Sequence, residues 1–238
     1  MKTRSLRPIA ISVAALFAIA PARGQNFTWS GGGADNNWTT PANWEGGVAP
    51  SANSVLRFGG STRLTNTNDF ATGTQFNGIE FRSGAGAFAL SGNAINLGGD
   101  VTNFSSNNVT ISTALTMLQN TTFNARTAWL TVNAVISGVG YDMIKTGIYT
   151  QILTRANTYT GATRVQEGAL FLNLNATGGP NDNIVSTSSA LIMGGSTQVS
   201  RTLRIAGRNA TASSQTFNGT TLKAVSYTHL TLPTIYSV

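Results

Sequence analysis

Short runs of alternating apolar and polar residues, each closed by glycine or asparagine, recur along this 238-residue chain and leave it few folds to choose from. Ile79 and Phe81 alternate with Glu80 and Arg82, and Phe88 and Leu90, Ile95 and Leu97, and Val109 and Ile111 continue the pattern. Leu130, Val132, Ala134 and Ile136 share one face, with Trp129, Thr131 and Asn133 opposite. Leu170, Leu172 and Leu174 alternate with Phe171, Asn173 and Asn175, and Leu203 and Ile205 form another short run. A period of two sends successive side chains to opposite faces of an extended backbone, so each run reads as a half-buried strand. Nothing long shows a helical period outside the first two dozen residues. The chain is therefore read as all-β, with many short strands and many corners. Stacked solenoid rungs fit this pattern; a β-sandwich is the alternative and needs hairpins between consecutive strands.

Composition points the same way. Only 10% of the residues are charged, far below the roughly 25% of an ordinary soluble chain. Small polar residues take their place: 26 Gly, 23 Asn and 34 Thr make up 83 of the 238 positions. Thr favours strands, while Gly and Asn favour tight turns. Hydrophobic residues still account for 41%, enough for a core. There is no cysteine, so stability must come from backbone pairing and burial.

The formal charge of +7 overstates how basic the folded part is. Lys2, Arg4, Arg7 and Arg23 lie in an apparent leader, which leaves eleven cations against eight acids. Nucleic-acid binding needs clustered cations, and no nucleic-acid partner is expected. The densest group is Arg201, Arg204 and Arg208, either a solvated strand face or a contact for an anionic polysaccharide.

Both ends read as separate from the fold. Residues 1–24 have a signal-peptide layout: a positive start, the twelve-residue apolar run IAISVAALFAIA, then small residues with cleavage after Ala22 or Gly24. That run is short for a membrane-spanning helix, which takes about 20 residues, although an uncleaved anchor is the other reading. A secreted or cell-surface location follows. Residues 225–238 begin VSYTHLTLPT, which resembles one translated frame of a transposon-based sequencing adapter, so this tail is expected to be foreign to the protein. It contains His229, the only histidine. On that reading the natural frame continues past Ala224 into further repeats, and the part that would fix the export route lies beyond it.

Residues 25–58 form a distinct opening segment with three of the four tryptophans, Trp29, Trp38 and Trp44, among Gly, Asn and Pro turn signals. The sharpest internal motif lies within 144–173, where Lys145-Thr146-Gly147 is followed by Asn157-Thr158-Tyr159-Thr160-Gly161, a corner at Gly168, and Leu170 and Leu172 in alternation. Together these segments resemble proteins carrying autotransporter-associated β-strand repeats, also called passenger-associated transport repeats. The unit is divergent, with Gly147-Ile148-Tyr149-Thr150 where the family has Gly-x-Gly-x-Leu, and Ala162-Thr163-Arg164 where Gly-Thr-Thr is common. The resemblance implies a right-handed parallel β-helix over 59–224 behind an N-terminal cap, 25–58. It also implies a non-enzymatic passenger segment, structural or adhesive, delivered by outer-membrane translocation machinery and meeting surface polysaccharide or a neighbouring cell.

Two roles are open for the tryptophans: a plug over the open end of the solenoid, or a platform for sugar rings. Asn157 and Gly161 suit corners with positive φ, and Tyr159 would cover the edge of a rung. In-register Asn and Thr could form side-chain ladders.

Catalytic constellations are sparse. No His/Cys metal set, nucleophile elbow, phosphate loop or calcium repeat is present, so no cofactor or metal is expected. The enzymatic alternative is a β-helix polysaccharide lyase or glycosidase. For this, Glu80 and Asp100, one rung apart in sequence, would have to converge.

Overall fold

The computed structural model describes residues 24–195, 199–209 and 211–223. The leader and the 225–238 tail, with His229, therefore fall outside the described residues, apart from Gly24.

The chain winds as a parallel β-solenoid with three faces. The first face holds nine strands, beginning with Asn26–Trp29 and Val55–Phe58 and ending with Leu191–Met193 and Thr220–Leu222. The second holds seven, from Thr65–Asn68 to Arg201–Ala206, and the third four, from Thr74–Phe76 to Ile136–Ser137. Every ladder between named strands is parallel and joins successive rungs, so no strand hairpin is present among the described residues and the sandwich alternative falls. The only helical elements among the described residues are two three-residue 3-10 turns, Pro41–Asn43 and Glu45–Gly47.

Register repeats the same positions on each rung. Phe27, Leu56, Ile79, Val101, Phe123, Lys145, Val165, Met193 and Leu222 form one column of the first face. Phe58, Phe81, Asn103 and Ala125 form the next inward column. Rungs about 4.8 Å apart let each cover the apolar face of the one before, so none could be stable alone. The alternation seen in the sequence is realised on most rungs, where Ile79, Phe81, Ile95, Leu97, Val109, Ile111, Leu130, Val132, Leu170 and Leu172 are all buried. Leu203 and Ile205 depart from it, Leu203 being half-buried and Ile205 exposed, because no strand among the described residues stacks beyond theirs.

The third face changes character after Ile136–Ser137. No strand follows there among the described residues, yet Thr158 donates its amide to the Ile136 carbonyl (2.9 Å) and Thr160 to that of Gly138 (3.1 Å). The 157–160 stretch thus continues the wall by backbone hydrogen bonds, with Ile184 and Val185 buried beyond it. Hydroxyls pair directly between some rungs, as in Thr116 with Ser137 (3.0 Å) and Thr163 with Ser189 (2.9 Å). Asparagines instead satisfy corner backbone: Asn103 donates to the carbonyls of Asn107 and Trp129 and accepts from the Ser105 amide. The expected asparagine ladders give way because a side-chain amide can serve an otherwise unpaired corner donor and acceptor together.

Candidate functional site

The three tryptophans of the opening segment lie inside the molecule. Trp29, Trp38 and Trp44 are at most 1% exposed and pack around Phe58, at centroid distances of 6.3, 5.6 and 6.0 Å. Trp29 and Trp44 meet edge to face at 5.3 Å. All three indole N–H groups are used, by the Thr62 carbonyl, Asn66 Oδ1 and the Trp38 carbonyl respectively. With every ring face covered, none can stack on a sugar, and the carbohydrate-platform role read for Trp29, Trp38 and Trp44 is corrected. The same segment supplies the first two strands of the first face, Asn26–Trp29 and Val55–Phe58, and bonds to the leading strands of the other two: Asn36 and Trp38 bracket Thr67, and Asn53 donates to Gln75.

The Asn157–Gly161 motif is a corner built by contacts rather than by unusual backbone. Asn157 is nearly buried; its Oδ1 accepts the Ile136 amide (2.8 Å), and its Nδ2 donates to the carbonyls of Arg155 (3.0 Å) and Ile184 (2.9 Å). It therefore ties together three successive turns of chain. Neither Asn157 nor Gly161 has positive φ, contrary to expectation. Gly161 is required by proximity, because a Cβ there would lie 2.1 Å from the Tyr141 carbonyl oxygen. Gly168 does have positive φ, +67°, and a Cβ there would meet the Gly147 carbonyl oxygen at 2.3 Å. Tyr159 is fully buried rather than at a rung edge, its hydroxyl 2.7 Å from that of Thr163. Burial pushes the phenol well above the usual tyrosine range, although its hydrogen bonds with Thr163 and Ser189 pull the other way.

Lys145 occupies an inward column position and is completely buried. Its Nζ donates to the carbonyls of Thr146 (2.6 Å), Gly147 (2.6 Å) and Glu167 (3.0 Å), while Glu167 Oε2 accepts the Gly147 amide (2.9 Å). Burial pushes the ammonium down to about 8, and the nearby Glu167 carboxylate acts the other way. The ammonium serves as a fixed trivalent donor that closes the corner at Gly147.

Glu80 and Asp100 do not form a carboxylate pair. Glu80 is held by Arg57 (2.9 Å) and Arg82 (3.3 Å), and its register partner is Thr102. Asp100, two residues earlier on that rung, accepts the Thr122 amide at 2.7 Å. Among the described residues, no group of three or more His, Cys, Asp or Glu side chains is placed to hold a metal.

The candidate surface lies on the second face, where sequence reading singled out Arg204, as one of three arginines, but not its aromatic neighbours. Trp129 is 47% exposed and borders a shallow concavity of about 250 Å³ with Thr150, Ile152, Phe171, Thr202 and Arg204. The Arg204 guanidinium lies 4.4 Å above the centre of the Phe171 ring. Arg201 and Arg208 turn away to the carbonyls of Gln166 and Gly179, so the three arginines do not converge. The signal for this surface was present in the alternation, which put Trp129 opposite Leu130 and Phe171 opposite Leu170.

Comparison of the chain with family models, with curated proteins and with solved structures finds no match.

Proposed function

We propose that this chain is a non-enzymatic passenger segment of an autotransporter-like protein, secreted or held at the cell surface, with a structural or adhesive role. The observation that carries the reading is the unbroken stacking of rungs on the first face, from Asn26–Trp29 to Thr220–Leu222. A solenoid of this kind is an extended scaffold whose length is set by rung number, and whose outer faces present side chains at regular intervals. The Lys-x-Gly and Asn-Thr-Tyr-Thr-Gly segments support the resemblance because Lys145, Asn157 and Gly161 each have a defined corner task here. In this reading the opening segment, 25–58, caps the solenoid: it occupies edges that would otherwise template strand addition.

The test is export. The full chain, expressed with its own leader in a Gram-negative host, is expected in the periplasmic fraction, with a new N-terminus at Arg23 or Gln25 and resistance to added protease. Retention of the unprocessed chain in the cytoplasm would overturn the passenger reading. Release of reducing or unsaturated sugar from a polysaccharide by the purified chain would overturn its non-enzymatic part.

A further inference from the structure

The outer surface of the second face is mostly polar but carries two aromatic side chains, Trp129 and Phe171, close to Arg204. Register aligns Thr110, Thr131, Ile152, Phe171 and Arg204 in one outward column. Thr150, Ala169 and Thr202 form the parallel column. Trp129 directly precedes Leu130, whose register partner is Gln151, and so heads that second column beside Thr150. Its backbone is fixed: the amide donates to Asn108 Oδ1 (3.0 Å), and the carbonyl accepts from Val109 (3.1 Å) and Asn103 (3.1 Å). The indole is therefore presented by a rigid rung.

The polar groups around this ledge are uncommitted. The Trp129 indole N–H, the hydroxyls of Thr150 and Thr202 and the Arg204 guanidinium make no hydrogen bond among the described residues. Arg204 also has no acidic partner there, unlike Arg57, Arg82 and Arg164. Its guanidinium carbon lies over the Phe171 ring, a contact that uses none of its N–H donors.

An exposed indole suits the C–H face of a sugar ring, while free hydroxyls suit its hydroxyl edge. An unpaired guanidinium fork matches a planar carboxylate by two parallel hydrogen bonds. Protein–protein interfaces typically recruit about 20–30 residues a side, many more than line this concavity. The two columns run along the solenoid axis, so the ledge follows a line that an extended ligand can track.

We propose that the Trp129–Phe171–Arg204 ledge binds a linear polysaccharide bearing carboxylated sugars, with Trp129 stacked on one ring and Arg204 paired with a carboxylate. The inference rests on the adhesive half of the reading above. It is measured on the purified chain, so it can fail while the export assay succeeds.

The experiment is calorimetric titration of the full chain with polygalacturonate, dextran and dextran sulfate. Polygalacturonate is expected to bind, with affinity reduced about tenfold or more by Trp129→Ala and by Arg204→Gln, because each removes one of the two anchoring contacts. Trp129→Phe should recover part of the loss. Arg57→Gln, which removes the same charge on the first face, should bind as the parent does and so separates the site from general attraction to a basic protein. Unchanged circular dichroism of each variant excludes unfolding. Unaltered polygalacturonate binding by both ledge variants would overturn the site, and equal binding of dextran or dextran sulfate would overturn the carboxylate assignment. No binding to polygalacturonate, with self-association of the chain that Trp129→Ala abolishes, would reassign the ledge to a second copy of the protein.

Discussion

Lys145 sets the chemistry of a single inward position against that of its whole column. Leucine, isoleucine, valine and phenylalanine fill the column on neighbouring rungs, whereas Lys145 brings an ammonium whose three donors are all matched by carbonyls. Burial still favours the neutral amine, with a folded value of about 8 against 10.5 for the free side chain. Above pH 8 the unfolded chain therefore holds a proton that the folded chain has shed, and stability rises with pH. Below pH 8 both states are protonated and the gain is absent. Tyr159 acts oppositely above about pH 10, where the buried phenol keeps a proton that an unfolded tyrosine loses. Denaturant unfolding between pH 7.5 and 10 should thus show a gain of at most about 2–3 kcal/mol. Lys145→Met should flatten that slope, and an unchanged slope in the variant would show that another group carries it. The lysine was visible in the sequence as part of a Lys-x-Gly motif, but its burial was not. Alternation predicts which way a side chain points, and carries no information about three carbonyls gathered from two rungs.

At the scale of the element, the corners carry more of the specification than the strands. Strands here are mostly three or four residues long, too short to fix register alone, so the turn between them must do so. Asn157 and Gly168 perform this task by different means: one bridges three turns of chain with side-chain hydrogen bonds, the other occupies backbone space closed to a Cβ. Asn157→Ala should leave the Ile136 amide without its acceptor and lower stability by about 1–3 kcal/mol. Gly168→Ala meets both positive φ and a 2.3 Å approach to backbone, and should be worse than Gly46→Ala, where φ is +80° but no atom lies within 4 Å. The Gly46 change is expected to cost about 1 kcal/mol, from the left-handed backbone alone. Thermal unfolding of the two variants side by side checks that order. The strands were legible from alternation because burial and period coincide in Leu130/Val132 and Leu170/Leu172. The fate of the tryptophans was less so. Indoles near Gly and Asn turns look equally suited to a surface or a core, and contacts with Phe58 and Phe76 decide it. Trp129 is the reverse case, since its place opposite Leu130 already pointed outward.

For the molecule as a whole, the opening segment and the rungs depend on each other. The 36–39 stretch pairs with Thr67, Thr39 bonds to Asp69 through amide and hydroxyl, and Asn53 reaches Gln75. Removing 25–58 would take away the first two strands of the first face and uncover Ile79–Phe81 and the leading strands of the other two faces, together with Phe76 and Phe88. Light scattering of that deletion is expected to show concentration-dependent oligomers, where the full chain stays at one mass; a monodisperse deletion would show that the rungs protect their own edge. The distribution of tryptophan has a further consequence. Three indoles are sealed at one end of the winding and the fourth is in water further along it, so one fluorophore type reports two places with different emission colours. On unfolding, the sealed three should shift to longer wavelength while Trp129 stays nearly constant, and Trp129→Phe would isolate the first signal. Followed in time against far-ultraviolet dichroism, that signal tells whether the solenoid unzips from its tryptophan-rich end or frays towards it, giving the molecule a measurable sense of direction.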